Sequence, residues 1–160
     1  MKSSDILKKL LSDHYDGDPW IDVTISQTFK KISTEQALKK IDNLNSIWQI
    51  VNHMISWRET LLSRVKDESI TVPDNNFIKE IEDTSEKSWG RTLKRFKKSQ
   101  MDIISFLSDS KDKVLDKVSS ASGYTYYELI QAILQHDAYH LGQIVLILKL
   151  INGMKNKKLI

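Results

Sequence analysis

Three histidines in this chain have the residue type and spacing needed to hold a metal ion. His136 and His140 are four residues apart within the strongly apolar segment 124–151. On a helix, side chains at positions i and i+4 lie one above the other on the same face, so these two imidazoles can bind one ion. His53 lies in a second amphipathic segment, 46–65. Three imidazoles from two helices would form a tripod that leaves coordination positions open for water or substrate.

The same histidines also allow a purely structural interpretation. Partly buried imidazoles often bond to neighbouring side chains or to water, and the spacing alone favours neither this alternative nor a metal site. His53 lies in the other half of the chain from His136 and His140. Only folding can therefore bring the three side chains together.

Further polar and aromatic residues are candidates for the surroundings of such a site. Gln143 continues the stripe of the two paired histidines at i+7, where it could orient water or substrate. Tyr139, Trp57 and Trp20 could form the walls of a pocket, although each could equally serve packing. Gln143 and Tyr139 are the candidates for a catalytic role, but no residue has the pattern of a general base.

Two more residues close to these patterns need an explanation. Asp137 follows the first histidine of the pair, so the chain lacks His-Glu-x-x-His and a glutamate base of the thermolysin type is excluded. Asp137 would point about 100° away from His136, where it could support a ligand, pair with a cation or, as we prefer, act as a structural carboxylate. His14 precedes a turn, where a cation favours the helix dipole; a role as fourth ligand is the less favoured alternative.

The composition limits the chemistry of any site. The chain contains no cysteine, which excludes disulfides, thiolate metal ligands and a cysteine nucleophile. A metal must then be held by nitrogen and oxygen atoms, unlike the metal in a zinc finger or an iron–sulfur cluster. Any thiol that takes part in a reaction must come from a small molecule.

The charge pattern does not indicate a nucleic-acid partner. The net charge is +3, which is too weak to imply one by itself. The basic residues of segment 94–98 lack interleaved aromatics on the same face, so we interpret them as a solvated helix face. Three lysines near the end, Lys155, Lys157 and Lys158, are interpreted as a solubilising terminus.

Neither targeting nor membrane insertion is indicated. The first residues lack a basic region followed by an apolar one, as a signal peptide would have. No apolar stretch approaches the roughly 20 residues of a membrane span. We therefore expect a cytoplasmic protein without a membrane partner.

Apolar periodicity and capping residues predict an all-α fold that forms one domain over residues 1–160. Long helices are predicted over 4–15, 46–65, 85–107 and 125–151, with shorter helical pieces at 33–41 and 114–118. Ser46 is the predicted N-cap of the second long helix, and Thr125 with Glu128 is a predicted capping box at the start of the fourth. Segment 20–31 is expected to be an ordered loop with an extended piece at 21–25, and Gly153 to stop the last helix. Four long helices without strands favour a four-helix bundle.

The chain resembles a known family, the DinB-like (DinB/YfiT) superfamily. Segment 136–143, HDAYHLGQ, is similar to that family's last-helix signature, and segment 46–58, SIWQIVNHMISWR, to its second-helix signature. Segments 15–20, YDGDPW, and 34–37, TEQA, resemble its first loop and short helix. These segments occur in the family's order and span most of the chain.

The resemblance implies a four-helix bundle with up-down-down-up topology. It also implies a divalent metal, commonly nickel or zinc, on His53, His136 and His140, and a homodimer. Members of the family include transferases and isomerases that use the small thiols bacillithiol or mycothiol, and others described as metal-dependent hydrolases. A small-molecule substrate is therefore expected.

These observations favour a metal-dependent enzyme that activates water or a thiol, either a hydrolase or a thiol S-transferase. The first alternative is a non-catalytic metal-binding protein that serves a stress response or an interaction. The second is a bundle whose site has lost its metal. Activity with thiol substrates separates the enzyme from both alternatives.

Overall fold

The protein is all-α over residues 2–157, the part that the computed structural model describes, with side chains described for residues 2–154. Its four long helices are α1 (Ser3–Tyr15), α4 (Ile47–Arg64), α5 (Glu86–Asp109) and α7 (Tyr126–Lys157). Its three short helices are α2 (Ile25–Lys30), α3 (Thr34–Leu38) and α6 (Asp112–Leu115). No strand occurs within these residues, as predicted.

The predicted caps explain where several helices begin. At the start of α4, the Ser46 hydroxyl accepts a hydrogen bond from the Gln49 amide, and the Gln49 side chain accepts one from the Ser46 amide. Thr125 and Glu128 make the equivalent reciprocal pair before α7. These bonds satisfy amides that have no partner within the helix, so capping fixes the starts of the helix that carries His53 and of the helix that carries His136 and His140.

Two predictions about local structure are wrong. Segment 20–31 contains a helix, α2, rather than only a loop with an extended piece at 21–25. The Thr24 hydroxyl caps this helix by accepting from the Gln27 amide, and Ile25 and Phe29 bury one face. Gly153 does not stop the last helix, which continues to Lys157. A helical glycine costs only about 1 kcal/mol relative to alanine, which is too little to end a helix of this length.

The four long helices enclose a core of two clusters. α4 packs against α5 and α7, and α1 packs against the same two helices. The first cluster joins the early parts of α4 and α5 to the last half of α7, through residues such as Trp48, Trp89 and Ile147. The second joins α1 to the ends of α4 and α5 and to the start of α7, through residues such as Leu11 and Ile130.

Some predictions concern features that the structure does not test. The side chains of Lys155 and Lys157, and the whole of Lys158, lie outside the described residues, so the solubilising terminus stays a prediction. Among residues 2–157, none of the helices is both long enough and apolar enough to span a membrane.

Candidate metal centre

The structure brings the three predicted histidines together. His53 is on α4, and His136 and His140 are on α7. The Nε2 atom of His136 is 3.0 Å from Nε2 of His53 and 3.1 Å from Nε2 of His140. The three residues form a group that could hold a metal ion, because each offers one ring nitrogen and these nitrogens all lie within 4.8 Å of one another.

Hydrogen bonds at the Nδ1 atoms of two rings determine which nitrogen of each ring carries the proton. Nδ1 of His53 lies 2.7 Å from the backbone carbonyl of Asn76, and Nδ1 of His140 lies 2.7 Å from Oε1 of Gln143. A carbonyl oxygen can only accept, so each Nδ1 carries the proton and donates it. The Nε2 atoms of these two rings therefore carry lone pairs, which is the tautomer that a metal needs.

This arrangement of lone pairs fits a cation. In its neutral form, His136 has one ring proton. If Nε2 carries that proton, it can donate to the Nε2 atom of His53 or of His140, but not to both. At least one close nitrogen–nitrogen contact then sets two lone pairs against each other, and Nδ1 of His136 is buried without a partner in the described structure. Nitrogens 3.0 Å apart suit an ion about 2.1 Å from each, at roughly 90° to one another. The donor set therefore fits a single divalent ion.

The environment keeps all three imidazoles neutral. Burial lowers the pKa of His53 and of His140 below the ordinary value for histidine. Burial is also the largest cause for His136, where the other two histidines and Arg58 add to it and lower the pKa to about 3. Neutral imidazole is the form that binds metal, so little free energy is lost to deprotonation at neutral pH.

The histidines open onto a cleft of about 560 Å³. Trp57 and Tyr139 line it, as the sequence predicts; Tyr139 is 65% exposed and its ring lies 5.0 Å from that of His140. Gln143 also lines the cleft, but its Oε1 accepts from His140 and so orients a ring directly. Trp20 is fully exposed and is not part of the cleft, so its predicted role as a wall is wrong.

His14 does not join the histidine cluster. Its side chain is buried on α1, where burial lowers its pKa and the nearby Asp137 opposes that shift. It is absent from the set of residues within metal-binding distance of one another. The structure thus gives no support to His14 as a fourth ligand.

Asp137 takes part in a buried ion pair, one of the roles that the sequence allows, but the sequence analysis did not identify its partner, Arg58. Its Oδ2 accepts from Nη2 of Arg58 at 2.6 Å and from Nε at 2.9 Å, and both side chains are almost completely buried. Nη1 of Arg58 donates to Gln100, whose amide donates to the backbone carbonyl of Leu11. Arg58 lies one turn from Met54 and from Leu61 on a buried stripe, and that position was the available signal.

Asn76 is a second residue that the sequence analysis missed. Its backbone carbonyl holds His53, and its Oδ1 accepts from the indole of Trp57 at 3.1 Å. Asn76 and Phe77 both have positive φ, at 51° and 61°, and the Phe77 ring packs edge-on against Trp57. Two consecutive left-handed residues make a sharp turn that directs this carbonyl into the site; asparagine tolerates the conformation better than most residues.

A matched pair of substitutions at Asn76 separates the turn from the side chain. Asn76→Ala and Asn76→Gly both remove the hydrogen bond to Trp57, but only alanine opposes positive φ. We expect Asn76→Ala to be about 1 kcal/mol less stable than Asn76→Gly and to bind metal more weakly. Urea unfolding and competition with a chelator measure the two effects. Equal stability and affinity in the two variants would show that the left-handed turn does not hold His53.

Comparison with known proteins gives one match. The family model described as DinB superfamily matches residues 24–144, which include all three clustered histidines. No curated protein and no solved structure matches the chain.

Proposed function

Because the chain belongs to the DinB superfamily, we propose that it is a metal-dependent enzyme in which His53, His136 and His140 hold one divalent ion. The observation that carries this proposal is the convergence of three Nε2 atoms beside an open cleft. Two of these rings are held by carbonyl oxygens in the tautomer that a metal requires. Nickel and zinc are the proposed metals, because imidazole suits both.

The reaction that we propose is transfer of a small-molecule thiol to an electrophile. A divalent ion held by these three residues would supply Lewis-acid chemistry, because it would lower the pKa of a thiol or water bound beside it. The chain has no cysteine, so the thiol is a substrate. Its S–H proton passes to solvent, a sulfur–carbon bond forms, and the leaving group departs with the bonding electrons.

The residues around the cleft favour a thiol over water as the nucleophile. None of the described residues that line it is an aspartate or a glutamate, so it offers no carboxylate as a general base. Water has a much higher pKa than a thiol and depends more on such a base. Asn76 and Gln143 accept hydrogen bonds from the rings of His53 and His140, and the side chains of Trp57 and Tyr139 line the cleft. Hydrolysis is the competing outcome of the test.

We also propose that the four long helices form an up-down-down-up bundle. The membership of the two core clusters supports this: the early parts of α4 and α5 meet the end of α7, whereas their ends meet α1 and the start of α7. α4 and α5 would then run in one direction, and α1 and α7 in the other. The single domain over residues 1–160, the homodimer and the cytoplasmic location stay predictions.

The test of this function begins with metal content and ends with turnover. Tag-free protein should contain close to one equivalent of nickel or zinc by elemental mass spectrometry. It should accelerate the reaction of bacillithiol or cysteine with 1-chloro-2,4-dinitrobenzene, lose this activity after chelation and regain it with metal. Bound metal with hydrolysis of 4-nitrophenyl acetate but no thiol transfer would indicate a hydrolase. Bound metal without turnover of either reagent would favour the non-catalytic alternative, and absence of metal would refute the proposal.

A further inference from the structure

A second, smaller pocket adjoins the metal centre. It has a volume of about 210 Å³, and Trp57 and His136 form part of its wall as well as part of the wall of the larger cleft. Its other lining residues are Leu61, Arg64, Leu129, Ala132 and Ile133. A group held in this pocket would therefore lie beside His136, on a wall that the pocket shares with the cleft.

No carboxylate among the described residues pairs with the positive charge of Arg64 at this pocket. Arg64 is the last residue of α4, and its guanidinium carbon lies 5.5 Å from the centre of the Trp57 ring. The Nε atom of Arg64 is buried and has no acceptor among the described residues. Arg64 also forms no ion pair within the described part of the chain. A basic residue in a last helical turn interacts favourably with the helix dipole, but that role does not require a buried donor without a partner.

The remaining wall of the pocket is apolar. Apart from Arg64 and the two aromatic rings that it shares with the cleft, it consists of aliphatic side chains from α4 and α7. A cavity of about 150 Å³ lined by such side chains is large enough to bind benzene. This pocket therefore has room for one aromatic ring or a short alkyl chain with a terminal polar group.

We infer that this pocket binds the apolar arm of the electrophilic substrate, and that Arg64 pairs with a carboxylate at the end of that arm. This inference rests on the proposed function in one respect: that function identifies the bound molecule as the electrophile. The pocket itself needs no metal, because its attraction for such a group comes from its aliphatic wall and from the unpaired guanidinium. Its class of ligand is thus an aryl or short alkyl carboxylic acid.

The test compares 3-phenylpropionate with 3-phenyl-1-propanol, which has the same apolar part without the charge. Isothermal titration calorimetry on metal-free and on metal-loaded protein should give binding of the acid to both forms, about tenfold or more tighter than the alcohol. Arg64→Met should abolish this preference, whereas Arg91→Met, which removes an exposed arginine from another helix, should keep it. Ala132→Leu, at an exposed position on the wall, should weaken both ligands by filling the pocket.

The possible results distinguish the pocket from the metal centre. Binding of the acid to a protein that never takes up metal would retain the pocket and refute the proposed function. Equal affinity for acid and alcohol, or binding that Ala132→Leu leaves unchanged in a folded variant, would overturn the inference. Binding of the acid only to metal-loaded protein, with Arg64→Met unaffected, would assign the carboxylate to the ion and would also overturn it.

Discussion

Replacing Arg58 with methionine should destabilise the protein by about 3–5 kcal/mol, which is the usual cost of removing one partner from a buried ion pair. The reason is that Asp137 is completely buried and accepts two hydrogen bonds from Arg58. Without the guanidinium, its carboxylate would lie uncompensated in the core, and Gln100 would lose a donor. Urea unfolding of metal-free wild type and variant measures the loss directly.

A surface arginine provides the matched control for this experiment. Arg95 pairs with Glu59, but both side chains are about half exposed, so Arg95→Met should cost no more than about 1 kcal/mol. In a double-mutant cycle, adding Asp137→Leu to Arg58→Met should recover part of the stability, because no buried charge then stays unpaired. A loss below about 1 kcal/mol for Arg58→Met would mean that the buried pair does not stabilise the fold.

The same ion pair has a consequence for the metal centre. Arg58 and His53 are on α4, and Asp137 is the residue next to His136 on α7. The pair therefore joins the two helices that carry the three clustered histidines, at a point close to these side chains. We expect the pair to help set the register of α4 against α7, and with it the spacing of the three histidines.

The features that the sequence predicted correctly are mostly local. Ser46 was predicted as the N-cap of α4, and Thr125 with Glu128 as a capping pair before α7, and the fold forms both caps. The i, i+4 spacing of His136 and His140 places their rings together because a helix sets that distance by itself. His53 was predicted as the third histidine from its place on a second amphipathic segment, and the family resemblance implies the same residue; periodicity alone could not show that it joins the other two.

The features that the sequence analysis missed depend on partners far along the chain. The hydrogen bonds of Arg58 with Asp137 span 79 residues, and the one between His53 and Asn76 spans 23. No local pattern predicts such pairs, since they follow from how helices and a loop pack. Helix α2 was missed for a different reason: its 6 residues are too few to show a helical period, and its cap and buried face stabilise it.

Replacing His136 with alanine should weaken metal binding by more than about 100-fold. Loss of a residue that merely supports a ligand typically costs 10- to 100-fold in metal affinity, and loss of the ligand itself should cost more. His136 is also the ring that lies within 3.1 Å of both others, so its removal opens the cluster at its centre. We expect His53→Ala and His140→Ala to weaken metal binding as well. The loss of affinity should be smaller, because each variant keeps one close pair of ring nitrogens.

His14→Ala is the control, because His14 is a buried histidine that lies outside the cluster. Metal content after incubation with nickel or zinc, followed by competition with a chelator, gives the affinity of each variant, and circular dichroism checks that each is folded. The chain has no cysteine, so no thiolate can replace a lost histidine as a metal ligand. If His136→Ala binds metal as tightly as His14→Ala, the ion is held elsewhere and the three histidines are structural. If only His14→Ala keeps near-stoichiometric metal, the three Nε2 atoms are the ligands.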